Sequence, residues 1–172
     1  MNGFHANDKT RCEKFLSDYS YLIISEDTDF LGNGMYFWEQ QSRAEWWLRE
    51  KQKEVIVCAE IITDAMLDLN DPAVCSRIQH LYERIGSAVR NRYIKKYPKM
   101  DMQTGVKLNV LFEMCSFYMD AYKVVRGTRV YDTEESLFLA NSKLSSRAVD
   151  IYCIRTPEVA TKRVRVWHQK NH

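Results

Sequence analysis

The stretch that decides the fold is residues 30–47, FLGNGMYFWEQQSRAEWW. Two glycines flank an asparagine, Gly32-Asn33-Gly34. An apolar block follows, Met35-Tyr36-Phe37-Trp38, and then a charged run that carries Trp46 and Trp47. Paired glycines permit positive φ and a close approach of the backbone to whatever lies against it. Such a turn serves equally as a hairpin before a core strand or as the wall of a ligand site. A phosphate loop is excluded, because no GxxxxGK(S/T) follows. The dinucleotide fingerprint GxGxxG is excluded too, because position 37 is Phe and no third glycine follows.

Outward from this segment the chain alternates helical and extended patterns. Gly3-Phe4-His5 reads as a short strand. Residues 8–17 read as a helix capped by Asp8, with Cys12, Phe15 and Leu16 near one face. YLIIS at 21–25 is a short apolar run. Residues 40–52 read as a helix with Ala44, Trp47 and Leu48 on one face and Arg43, Glu45, Arg49 and Glu50 largely on the other. The β-branched EVIVCAEII at 54–62 is a buried strand. DAMLDLND at 64–71 reads as a loop, and Asp71-Pro72 starts a helix over 72–93.

After a polar loop at 95–105, residues 106–123 carry apolar side chains at helical spacing. RVYDTE at 129–134 reads as a strand and SLFLANSKLSS as a loop. AVDIYCIRT at 148–156 is another strand, and the alternating KRVRVWH at 162–168 an edge strand. The mixed order argues for an α+β fold over a parallel βαβ array. There is no repeat or linker, so residues 1–172 read as a single domain.

Composition sets the limits. Hydrophobic residues make up 45% and charged residues 28%, as in a folded globular domain, and a net charge of +2 leaves any basic footprint local. Cys12, Cys58, Cys75, Cys115 and Cys153 are widely spaced with no CxxC pair, so the expectation is buried reduced thiols and no metal site. No apolar run approaches a membrane helix and the N-terminus lacks the order of a signal peptide, so a cytoplasmic location is expected. The basic, aromatic-bearing groups at 90–99 and 161–170 suit either a solvated face or phosphate contact with base stacking.

GNGMYF at 32–37 resembles the GxGxYF segment of ADP-ribosyltransferases of the diphtheria-toxin and poly(ADP-ribose) polymerase type, whose triad is His-Tyr-Glu. In that family a first strand ends in His and a small residue. Gly3-Phe4-His5-Ala6 fits, with Ala6 and Asn7 where Gly and a hydroxyl residue are usual. Small bacterial transferase-like proteins carry WLGxGxYFWE…RAxxWA, similar to FLGNGMYFWEQQSRAEWWL, and then VxGAxIxxxxxLDLxD, similar to VIVCAEIITDAMLDLND. A later Val125-Arg126-Gly127 and the strand Cys153-Ile154-Arg155-Thr156-Pro157 extend the likeness from His5 to about Pro157.

The resemblance implies split antiparallel β-sheets flanked by helices, with NAD as substrate and no metal. It implies that Tyr36 and Trp47 stack on the nicotinamide, that backbone at Ala6 bonds its carboxamide, and that His5 holds a ribose hydroxyl. Gly34 would let the chain turn against the dinucleotide. A catalytic glutamate follows at Glu134 or, one residue along, Glu135, where the family usually has Glu-Gly. Similar small transferases are toxins of toxin–antitoxin and phage-defence systems. The CmdT type modifies RNA and the DarT type DNA. The resemblance therefore implies a nucleic-acid acceptor, RNA first and protein as the alternative, and an antitoxin or chaperone partner. Set against it, His5 reads equally as a surface histidine, and Tyr36 and Trp47 as core aromatics. Phe37 and Trp38 read as packing residues, and His80, His168 and His172 as surface groups. A catalytically silent module that binds NAD or a partner, and an interaction protein with a coincidental motif, are the rival readings.

Overall fold

Strands built from alternating apolar residues bury both faces when helices lie on both sides. β2 (Met35–Trp38) puts Met35 and Phe37 into one apolar cluster and Trp38 into the other. β6 (Ala148–Ile154) divides likewise, with Val149, Ile151 and Cys153 on one side and Tyr152 and Ile154 on the other. The structure, a computed structural model, describes residues 1–26, 30–85, 103–131 and 147–166. Its remaining strands are β1 (Asn2–Asn7), β3 (Val55–Ile61), β4 (Met66–Asp68), β5 (Val124–Val130) and β7 (Ala160–Val166).

The seven strands form one mixed sheet in the order β4-β5-β6-β2-β1-β3-β7. Every neighbouring pair is antiparallel except β4 and β5, which run parallel. The expected pair of separate antiparallel sheets is thus one continuous sheet with a weak joint. β1 and β2 meet at a single registered pair, Phe4 and Trp38. On their other edges β1 pairs with β3 from Asn2 to Asn7, and β2 pairs with β6 from Met35 to Trp38.

On one face α1 (Lys9–Ser17) buries Cys12 and Phe15 against Phe37 and Val57. The other face receives Ala44 of α2 (Gln41–Glu50), Tyr82 of α3 (Pro72–Glu83) and Val106, Leu108 and Leu111 of α4 (Thr104–Met114). A short α5 (Ser116–Met119) follows.

Several expectations need correction. The 106–123 helix breaks at Cys115, whose ψ of 39° leaves the helical region, so α4 and α5 are separate. DAMLDLND is not all loop, since Met66–Asp68 adds β4 beside β5; three residues are too few to show a period. The apolar run YLIIS stands as read, burying Leu22 and Ile23 and making an isolated bridge from Ser25 to Gly34. β5 begins five residues before the expected RVYDTE strand. Asp8 precedes α1 without a side-chain capping bond, and its carboxylate pairs with Lys53 at 3.0 Å. Asp71 does cap α3, accepting the Ala73 N–H at 2.8 Å, with Pro72 in the first turn. The thiols are free, but only Cys12 and Cys153 are buried; Cys58 and Cys115 are half-buried and Cys75 is exposed. The loop at 136–146 and the group at 90–99 lie outside the described residues, as do His168 and His172.

Arg163 is an exception within the 161–170 group, where Lys162 and Arg165 are exposed. It is buried, and its guanidinium donates to six backbone carbonyls, those of Phe15, Asp18, Tyr19, Tyr21, Pro157 and Ala160, at 2.8–3.2 Å. It also stacks at 4.1 Å on Phe15. The side chain ties the end of α1 and the following loop to β7. Arg163→Met should therefore destabilise the fold by about 3 kcal/mol or more in chemical denaturation, since it strands several buried acceptors. Arg163→Lys, with three donors in place of five, should fall between the two. A wild-type midpoint for Arg163→Met would refute this role.

Candidate functional site

Beyond Phe4 and Trp38, β1 and β2 separate, and a cleft of about 310 Å³ opens where their ladder stops. His5, Ala6, Tyr36, Trp38, Trp47 and Tyr131 are among its lining residues. His5 is buried at 7% exposure and bridges the opening. Its Nδ1–H donates to the Tyr36 carbonyl at 2.6 Å. Its Nε2 accepts from Nδ2 of Asn7 at 3.1 Å. The Asn7 amide is itself oriented, because its Oδ1 accepts the Asp8 N–H at 2.8 Å. A carbonyl acceptor on one side and an amide donor on the other define the neutral Nδ1–H tautomer. Burial lowers the imidazole pKa to about 4; the bond to Tyr36 opposes that shift and Lys53 adds to it. At neutral pH His5 is uncharged and can orient a hydroxyl, but has no proton to give as an acid.

Tyr36 is held from its far end. Its hydroxyl donates to the Gly32 carbonyl at 2.6 Å and accepts the Leu31 N–H at 3.1 Å. Gly32 sits at φ 79°, the left-handed region that glycine occupies without strain. The turn is fixed from two other elements. Asn109 Oδ1 of α4 accepts the Asn33 N–H at 2.7 Å, and Arg155 donates to the Asn33 carbonyl at 2.8 Å.

The opposite wall is aromatic. Trp47 of α2 packs on Trp38 with ring centroids 5.4 Å apart, and Trp46 meets Tyr131 edge-on at 5.3 Å. Trp38 Nε1–H donates to the Tyr131 hydroxyl at 2.9 Å. An electron-rich wall of this kind suits a flat or cationic ligand.

Four of the expected site residues, His5, Ala6, Tyr36 and Trp47, therefore line one cleft. Gly34 is not part of that lining. A Cβ there would collide with Cys153 Sγ and come within 2.6 Å of the Ile154 carbonyl, so strand packing against β6 accounts for this glycine. Glu134 and Glu135 lie outside the described residues, which stop at Tyr131 in the cleft wall. The sequence reading did not single out Tyr131 or Lys53 as lining residues, and it noted Asn7 only as a departure from a family pattern. A polar residue two places after His5, on the same side of a strand, was the available signal for Asn7. Phe37 is fully buried, as a packing residue. His80 is exposed on α3, its Nδ1 bonded to the Ser76 carbonyl at 2.7 Å.

The buried imidazole makes stability pH-dependent with a definite sign. Its folded pKa, about 4, lies below the unfolded value near 6.5, so the unfolded chain binds the extra proton. The stability it confers is present above about pH 6.5 and is lost as pH falls towards 4, by about 3 kcal/mol in all. Urea denaturation of wild type and His5→Gln at pH 7.5, 5.5 and 4.5 should show wild type losing its advantage as pH falls. A pH-independent difference would contradict this account. No protein-family model, curated protein or solved structure matches this chain.

Proposed function

We propose that this chain is an NAD-dependent mono-ADP-ribosyltransferase that transfers ADP-ribose to a nucleic-acid acceptor, RNA foremost. One observation carries the reading. His5, Ala6, Tyr36 and Trp47, where the resemblance places the nicotinamide and ribose contacts, come from three separate elements and line the same cleft. The single-pair joint between β1 and β2 supports the split-sheet arrangement of that family. The cleft volume is at the lower end for ligand sites, which suits a ring with its sugar better than a whole dinucleotide.

In this reading the nicotinamide lies among the faces of Tyr36 and Trp47, with its carboxamide on backbone at Ala6. The neutral Nε2 of His5 accepts a ribose hydroxyl in place of the Asn7 amide. As the bond to nicotinamide breaks, positive charge grows on the ribose. A carboxylate from Glu134 or Glu135 stabilises that charge and takes the acceptor's proton. A toxin role in phage defence or a toxin–antitoxin pair, restrained by an antitoxin or chaperone, rests on the resemblance alone. A protein acceptor is the first alternative. A silent NAD- or partner-binding module is the second, and the occupation of His5 Nε2 by Asn7 favours it.

Incubating the purified chain with labelled NAD and total RNA, single-stranded DNA or lysate protein tests the proposal. Label should enter the RNA pool and fall by about 100-fold or more in one of Glu134→Ala and Glu135→Ala. Label on protein would move the acceptor to the alternative. A folded chain that releases no nicotinamide and labels nothing would sink the transferase reading.

A further inference from the structure

The inner guanidinium groups of this fold are mostly committed. Arg126 lies between Asp68 at 3.0 Å and Asp150 at 2.5 Å. Arg155 is on the Asn33 carbonyl, and Arg163 is on six carbonyls of its own. Arg129, near the end of β5, differs. It is half-buried, yet no carboxylate or carbonyl among the described residues takes its N–H groups. Its contacts are aromatic: the guanidinium carbon lies 4.0 Å from the centre of the Phe30 ring and 4.6 Å from that of Tyr131. Stacking of this kind fixes the plane of a guanidinium and leaves its edge donors unspent, the arrangement that suits a bidentate oxyanion.

Its position gives that edge a use. A second cavity, of about 350 Å³, adjoins the first, and the two share Phe30, Arg129 and Ile151 as a common wall. Asn70, Thr104 and Thr128 also line the second cavity, and no carboxylate among the described residues does. The amide of Asn70 and the hydroxyl of Thr128 are engaged internally. Asn70 accepts the Thr128 N–H at 2.9 Å, and Thr128 donates to Asp150. Among the described residues Arg129 is thus the charged side chain of this chamber, with its donor set unspent.

We infer that the second cavity is a phosphate-binding chamber in which Arg129, packed on Phe30 and Tyr131, grips a phosphate of the nucleic-acid acceptor. The inference rests on the transferase reading for the identity of that ligand. The shared wall sets the geometry: with its phosphate held in the second cavity, the same acceptor has to extend its attacking atom into the first, where it bonds to the ribose carbon as nicotinamide leaves. A phosphate can also come from NAD itself, so the test separates the two sources.

The probes are a fluorescein-labelled single-stranded RNA 12-mer, followed by anisotropy over a salt series, and NAD, followed by calorimetry. Wild type, Arg129→Gln and Arg129→Lys are compared, with nicotinamide release from NAD measured on the same preparations. Arg129→Gln should weaken RNA binding about tenfold and reduce the slope of log K against log salt by about 1, a larger loss than any change in the NAD constant, since Arg129 also borders the first cavity. Arg129→Lys should keep the slope and recover only part of the affinity, because a point charge cannot replace the planar fork. It also guards against a general loss of structure in the Gln variant, as does a thermal midpoint for each protein. Loss of NAD affinity with RNA binding intact would assign the group to the dinucleotide and overturn the inference. So would RNA binding insensitive to both variants, or absent from wild type. If wild type releases nicotinamide and either result is found, this inference fails alone. If RNA binding depends on Arg129 but no nicotinamide is released, the transferase reading fails alone.

Discussion

The structure depends on a ladder that is allowed to open. β1 and β2 share one registered pair, yet each is fully paired on its other edge, β1 with β3 and β2 with β6. Two half-sheets are therefore individually satisfied and jointly hinged. The backbone groups freed at the opening need partners, since an unpaired buried carbonyl is costly. The imidazole of His5 supplies one for Tyr36. A side chain thus stands where a strand hydrogen bond would be, and the cavity is the space that this replacement leaves. The desolvation that keeps the ring neutral comes from the same location, so geometry and protonation state have one cause.

Much of this arrangement was legible in the residues. The run 54–62 is β-branched and apolar, and it became β3, an interior strand paired on both sides. The alternation in 162–168 marked an edge strand, and β7 is an edge. Asp71-Pro72 marked the start of α3. His5, Tyr36 and Trp47 were singled out by the resemblance; on the residues alone the glycine turn suited a hairpin, His5 a surface group and the two aromatics a core.

What stayed hidden was hidden for physical reasons. A three-residue strand such as β4 carries no period, and its stability comes from its neighbour. The break at Cys115 is a backbone conformation that apolar spacing does not encode. Arg163 lies in a basic stretch, KRVRV, where alternation with Val164 and Val166 predicts exposure for Arg163 and Arg165. Its burial depends on six carbonyls contributed by residues 15–21, 157 and 160, which only the tertiary fold assembles. The packing role of Gly34 was hidden for a similar reason. Its missing side chain makes room for Cys153, more than a hundred residues away.

The ends of the sheet bear on how the protein behaves in crowded solution. Among the described residues the seven-stranded sheet has two edges, and an uncovered edge is a template for another chain. One end is β4, which offers only three residues. The other is β7, where the register slips between Cys58 and Glu60 and Lys162 takes a positive φ of 45°. Lys162 is paired with Glu60 at 2.6 Å. A short edge and an irregular, charged one both resist strand-to-strand stacking. The same irregularity that spoils β7 as a ladder thus protects the folded chain from templated aggregation.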